Sequence, residues 1–145
     1  MTQQTGLKNF DKTLNETNNW LKDLEEILQT EDRQSAYHAL KGVLHALRDR
    51  LTPVEAAELA AQMPMLMRGM FYEGWKPVHK PEKIRSLDQF FKKVEIEMAP
   101  TSAAFNADEA TRAVFYLLQK HISAGEMKDV RSIIPDTFNE LWVKA

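Results

Sequence analysis

The sequence predicts an all-α protein: a helical bundle built from two tandem, pseudo-symmetric units of three main helices plus a short terminal helix each. Three observations carry that expectation. Apolar residues recur at spacings of three and four almost throughout, with no sustained alternation bounded by hairpin turns. The second half of the chain repeats the first when the sequence is shifted by 71 residues. The length, 145 residues, suits one domain that buries about two thirds of the surface its unfolded chain exposes.

Each element follows in order. Leu7, Phe10, Leu14, Leu21, Leu24 and Leu28 step by threes and fours with Thr17 in the one polar slot, and Trp20 and Ile27 widen the stripe into one long helix. Ala36, Ala39, Leu40, Val43, Leu44, Leu47 and Leu51 define a second. The third opens at Thr52, where Thr-Pro-Val-Glu supplies a capping hydroxyl, a proline at the first helical position and a capping-box Glu55. It stops before Pro64, which starts a short fourth helix ending near Gly74.

The duplication rests on positions rather than identities. Shifted by 71, Ala36, Ala39, Val43, Leu47, Glu55 and Pro64 fall on Ala107, Ala110, Val114, Leu118, Glu126 and Pro135. Similar pairs extend the match: Leu51 with Ile122, Thr52 with Ser123, Leu59 with Val130, Met63 with Ile134, Met67 with Phe138, Met70 with Leu141 and Phe71 with Trp142. Ser86-Leu-Asp-Gln89 is a second capping box, opening a helix whose Phe90, Phe91, Val94 and Met98 match Trp20, Leu21, Leu24 and Leu28 at a shift of 70. The expected organisation is a single domain over 1–145, with repeat 1 at about 7–73, a junction at 74–85 and repeat 2 at about 86–143.

Composition narrows the function. The absence of Cys removes disulfides, thiolate catalysis and Cys-ligated metal sites. A net charge of −2 argues against a dedicated nucleic-acid binder, since phosphate neutralisation needs a basic field. No stretch resembles a signal peptide or approaches the roughly 20 apolar residues a bilayer span needs, so a cytoplasmic protein without a membrane partner is expected.

Three blocks also suggest a family: Tyr37-His-Ala-Leu-Lys-Gly-Val-Leu-His-Ala-Leu-Arg-Asp-Arg50, Gln62-Met-Pro-Met-Leu-Met-Arg-Gly-Met-Phe-Tyr-Glu-Gly-Trp75 and His121-Ile-Ser-Ala-Gly-Glu-Met-Lys-Asp-Val-Arg131. Together and in order, they resemble the bacterial family called domain of unknown function 2267, over about Phe10 to Trp142. The resemblance implies a small bacterial all-helical protein with tandem halves. It brings no catalytic residue with it.

The halves differ most in their third and fourth helices. Ala56, Ala57, Leu59, Ala60 and Ala61 stand where the second copy has Met127, Lys128, Val130, Arg131 and Ser132, and Met65, Leu66 and Gly69 face Asp136, Thr137 and Glu140. A helix apolar all round is normally buried all round. Residues 54–72 are therefore expected to lie centrally, against the second copy or in a subunit interface, with Met65, Leu66, Gly69, Ala57 and Ala61 as the interface candidates. Met63, Met67 and Met70 align with apolar residues of the other copy and read as core.

Arg68 interrupts this apolar segment and calls for a carboxylate, Glu73 or Asp49, or for an anionic ligand held with Tyr72 and Trp75 at the junction. Trp75 with Pro77 reads as a lid over that junction. His38 and His45 are two turns apart with Lys41 between them, a poor metal pair, and read as solvent-facing or cap-supporting; His121 closes its helix as Arg50 closes the second. No metal motif and no phosphate-cradling glycine loop occurs, so neither a metal nor another cofactor is called for. Ser35, Ser86, Ser102, Ser123 and Ser132 lack a nucleophile-elbow context. Asp49, Glu55, Glu58 and Glu73 could act as acids or bases, yet match what any soluble helix face carries. Residues 11–32 hold seven acids against two bases and residues 76–93 six bases against two acids, which could draw the first helix to the junction of the same or a neighbouring chain.

The leading expectation is a non-enzymatic module acting through protein–protein contact, including self-association into a homo-oligomer, through residues 54–72. The alternative is a binder of an anionic or aromatic small molecule near Arg68, Tyr72 and Trp75.

Overall fold

The computed structural model describes residues 5–98 and 105–142. Seven α-helices and a terminal 3-10 helix, with no strand among the described residues, make the protein all-α. The helices are α1 (Lys8–Leu28), α2 (Arg33–Arg50), α3 (Pro53–Ala60), α4 (Met65–Tyr72), α5 (Leu87–Met98), α6 (Ala107–His121) and α7 (Ala124–Ile133), followed by the 3-10 helix Asp136–Trp142. Ser102 lies outside the described residues, as do 99–104 and 143 of the second repeat.

The start signals read from the sequence have structural counterparts. Thr52 Oγ1 accepts from Glu55 N at 3.2 Å, Ser123 Oγ from Glu126 N at 3.2 Å, and Ser86 Oγ from Gln89 N at 3.1 Å. Gln89 Oε1 returns the bond to Ser86 N at 3.2 Å, completing that capping box. The start of α6 was not read from the sequence, although Asn106 and Glu109 form a full capping box there.

Each half's first helix packs on the other half's second: α5 lies along α2, and α1 along α6. Helices α2 and α6 also touch each other, as do α3 and α7, so a single core runs through both halves. The α2–α5 crossing is close enough to require glycine. A Cβ on Gly42 would stand 2.5 Å from Met98 Cγ and 3.3 Å from both Val94 O and Met98 N.

The centre of the molecule is α2, in which twelve of eighteen residues are buried. That corrects the expectation that residues 54–72 lie centrally. In α3 only Glu55, Ala56, Leu59 and Ala60 are buried, and in α4 only Met67 and Phe71. These helices bury one face against α7, and against α1 and α2, respectively. Their other face, carrying Val54, Ala57, Ala61, Met65, Leu66 and Gly69, is exposed. Leu7 and Phe10, expected in the core, are 55% and 46% exposed. An apolar composition therefore did not guarantee burial within the chain.

Candidate functional site

Short helix α4 is held from below by α2. An eight-residue helix leaves most of its terminal carbonyls without intrahelical partners, and here each of the last ones finds a donor. His45 Nε2 donates to Met70 O at 2.7 Å, and Arg48 Nη1 donates to Phe71 O and Glu73 O, each at 2.9 Å. Trp75 N closes Tyr72 O at 2.9 Å. A guanidinium at a helix C-terminus also meets the negative end of the helix dipole.

Arg48 is itself balanced. It is 3% exposed, and its Nε and Nη2 donate to Asp49 Oδ1 and Oδ2 at 2.8 and 3.3 Å. Lys93 of α5 reaches Asp49 Oδ2 at 2.9 Å and Glu82 at 3.0 Å, and Lys80 reaches Glu82 at 3.0 Å. Burial pushes the Asp49 carboxyl up, but hydrogen bonds and charge from Arg48 and Lys93 outweigh it and hold the group below its usual range. Burial likewise disfavours the Lys93 ammonium, and bonds to Asp49 and Glu82 more than offset this, raising it.

This network revises several sequence readings. The buried arginine that needs a carboxylate is Arg48, not Arg68. Arg68 is exposed, and its Nε reaches back along α4 to donate to Met63 O at 3.2 Å, engaging neither Asp49 nor Glu73. His45, expected to face solvent or to support a cap, does the second: it is 3% exposed, donates to Met70 O at the end of α4, and has Nδ1 3.1 Å from Glu97 Oε1. His38 is half-buried beside Gln34. His121 does end α6, and also stacks on Trp20 at 4.3 Å and donates to Asp23 Oδ2 at 2.7 Å. Basic Lys80 and Lys93 are neutralised by Asp49 and Glu82 rather than by α1, whose Glu25 pairs with Arg33.

Above the network lies an open groove of about 630 Å³ between α1, α2 and α4. Thr17 and Leu21 form its α1 wall, Tyr37 and Leu40 its α2 floor, and Leu66, Gly69, Met70 and Tyr72 its α4 wall. Its register is set at one end by Thr13 Oγ1, which accepts from Leu66 N at 2.8 Å across the α1–α4 seam. On α1, Phe10, Thr13, Thr17 and Leu21 fall on one helical stripe, and the ring of Phe10 is exposed, as are Met65 and Leu66 on α4.

Three of the five interface candidates, Met65, Leu66 and Gly69, thus sit in or beside the groove on α4. Ala57 and Ala61 are exposed on α3 and do not line it. Tyr72 and Trp75 come together, with ring centroids 5.3 Å apart, while the Arg68 guanidinium is directed toward Met63. Trp75 packs half-buried on the core and Pro77 is exposed, so the two do not pack down together as the expected lid.

The corresponding positions of the second half carry charge. Tyr37 and Gly69 correspond by the 71-residue shift to Asp108 and Glu140, and Arg112 bridges those two, at 2.5 Å to Asp108 Oδ1 and 2.9 Å to Glu140 Oε2. Beneath it, Gln119, the counterpart of Arg48, donates to Trp142 O at 2.8 Å, where Arg48 donates to Phe71 O.

No helix among the described residues is long and apolar enough to cross a membrane. A family model described as "Uncharacterized conserved protein (DUF2267)" matches residues 17–141, from within α1 to the terminal 3-10 helix. No curated protein matches the chain.

Proposed function

The chain belongs to this DUF2267 family, and from that premise we propose that it is a non-enzymatic protein-binding module of the bacterial cytoplasm. Its docking face is the groove between α1 and α4, and its first partner is a second copy of the chain. One observation carries the reading: a glycine in the middle of α4 has nothing within 4 Å of where a Cβ would stand, yet faces an apolar groove. Glycine in a helix interior costs about 1 kcal/mol relative to alanine, and no close contact within the chain explains it. A partner backbone approaching α4 does. Exposed Leu66 lines the groove and exposed Met65 precedes it on α4, so one patch offers both a protrusion and a recess, as a self-complementary two-fold interface uses.

Sedimentation analysis over a range of concentrations tests this. The wild type is expected to associate reversibly, and Met65→Lys or Gly69→Glu to remain monomeric with little change in unfolding midpoint, because both positions are exposed. Wild-type and variant curves that superimpose as monomer at every concentration remove the self-association reading.

The second reading, a small apolar or aromatic ligand, is favoured by the groove's volume and by the rings of Tyr37 and Tyr72 along it. Its anion-binding form draws no support from Arg68, which is engaged with Met63 O. A thermal shift with an aromatic metabolite set, lost in Gly69→Glu but present in a monomeric wild type, selects this reading over association.

A further inference from the structure

A second concentration of chemistry lies where α3 meets α7, on side chains the groove does not use. Both helices open with one pattern, a capping hydroxyl followed by acids three and six residues on: Thr52, Glu55 and Glu58 in one, Ser123, Glu126 and Asp129 in the other. In α6 the acid at the equivalent early position, Glu109, folds back and accepts from Asn106 N at 2.9 Å. Glu55 and Glu126 turn instead into the α3–α7 seam and face each other. They are 6% and 8% exposed, and Oε2 of each is buried without a hydrogen-bond donor.

Above them, Glu58 and Asp129 form an exposed rim. Glu55, Glu58 and Asp129 each bring a carboxylate oxygen within 4.8 Å of the other two. Oxygens sharing one ion at ~2.4 Å lie no more than about 5 Å apart, so the spacing is that of a common cation. Among the described residues no Lys, Arg or His forms an ion pair with any of the four. The seam therefore gathers four acids with no cationic partner, and its two buried Oε2 atoms meet no donor beyond the facing carboxyl.

We propose that Glu55, Glu58, Glu126 and Asp129 form a binding site for a hard divalent cation of the Ca²⁺, Mg²⁺ or Mn²⁺ class, which ties α3 to α7. An all-oxygen donor set without nitrogen or sulfur selects such ions over softer metals. Glu55 and Glu126 supply the buried floor, and Glu58 and Asp129 the open side through which the ion enters. The N-termini of α3 and α7 oppose the ion with roughly half a charge each. The carboxylates of Glu55, Glu58 and Asp129 outweigh that and leave the seam anionic. Bound there, the cation ties Glu55 and Glu58 of α3 to Asp129 of α7, with Glu126 facing Glu55 beside it, and links helices that lie 71 residues apart in register.

The full chain, stripped with EDTA and desalted, is titrated separately with CaCl₂, MgCl₂ and MnCl₂, with NaCl matched for ionic strength. At least one salt is expected to raise the unfolding midpoint by several degrees beyond the NaCl control. The free Mn²⁺ spectrum in electron paramagnetic resonance should be depleted by one ion per chain. Glu58→Gln with Asp129→Asn, both at exposed positions, should weaken Mn²⁺ by at least about tenfold while leaving the midpoint in EDTA unchanged or higher. Glu126→Gln should weaken it as well. No shift beyond NaCl and no Mn²⁺ depletion at millimolar metal overturn the proposal and leave a proton shared by Glu55 and Glu126 as the occupant. Full Mn²⁺ depletion retained in Glu58→Gln/Asp129→Asn overturns it equally, by placing the ion elsewhere.

Discussion

The surfaces around α4 and around the terminal 3-10 helix distribute charge in opposite ways. In the first half the charge lies underneath: Arg48, Asp49 and Lys93 are drawn together below α4, and the face above is Leu66, Gly69 and Tyr37. In the second half the charge lies on top, as Asp108, Arg112 and Glu140, and the corresponding position underneath is the neutral amide Gln119. Both arrangements satisfy the carbonyls of a short terminal helix. In the first, an apolar groove lies above the helix; in the second, the paired charges of Asp108, Arg112 and Glu140 take the corresponding positions. The difference sets the two halves apart at this surface, and in the first half the ionic network holds the end of α4 beside the groove.

The sharpest way to break this comparison is Arg48→Met. It strips two donors from the end of α4 and leaves Asp49, whose side chain is 6% exposed, with Lys93 as its main counter-charge. Removing one partner of a buried pair costs about 3–5 kcal/mol, and urea unfolding should show a loss of that size. The groove should go with it, read as loss of self-association in whatever remains folded. Arg48→Gln places the second half's residue in the first. It restores one carbonyl bond and no charge, so it should fall between Arg48→Met and wild type. Gln119→Ala should cost only about 1 kcal/mol, as a neutral bond does. Equal losses at Gln119 and Arg48 would erase the distinction between the halves.

A gentler probe is pH. The folded Asp49 carboxyl sits below its unfolded value near 3.8. Its contribution is therefore present above that value and lost as pH falls through the lower folded one, where the carboxyl protonates in both states. Lys93 is raised in the folded state, so its contribution is complete below about 10.5 and lost as pH climbs through the folded value. Stability measured from pH 2 to 5 should fall less steeply in Asp49→Asn than in the wild type. Gln119→Ala should leave that acid limb parallel to the wild type, since no ionisation is involved.

How much of this could be read from the sequence depends on range. Helix boundaries were legible because their signals are local: Thr52, Ser86 and Ser123 each bond a backbone amide three residues on. The apolar surplus of residues 54–72 was legible too, but its burial was not. Composition shows that Met65 and Leu66 are apolar; it does not show that α4 is held at the edge by α1 and α2, with one face outward. The polar choices failed for the same reason. Arg68 stood out because it breaks a local pattern, whereas Arg48 lies beside Asp49 in an ordinary-looking helix and acquires its role from carbonyls 23 and 25 residues away. Glu55 and Glu126 looked like routine capping acids until α3 and α7 were seen to meet. One signal could have exposed Arg48: its counterpart under the shift is Gln119, a loss of charge at a position flanked by matched core residues.

The smallest expected effect discriminates most finely. Gly69→Ala adds a methyl group where nothing lies within 4 Å, in a helix interior at an exposed position. In an isolated chain that change should stabilise by about 0.5–1 kcal/mol, through helix propensity and a less flexible unfolded state. Gly69 has no positive φ, so the α4 backbone accepts a side chain there without strain. If a partner backbone approaches α4 at this glycine, the same methyl group should weaken association while raising the midpoint of the dilute monomer. Opposite signs in the two measurements tie the glycine to a docked partner. Gains in both would mean that the groove binds without close approach at α4, and would move the contact toward Phe10 and Leu66.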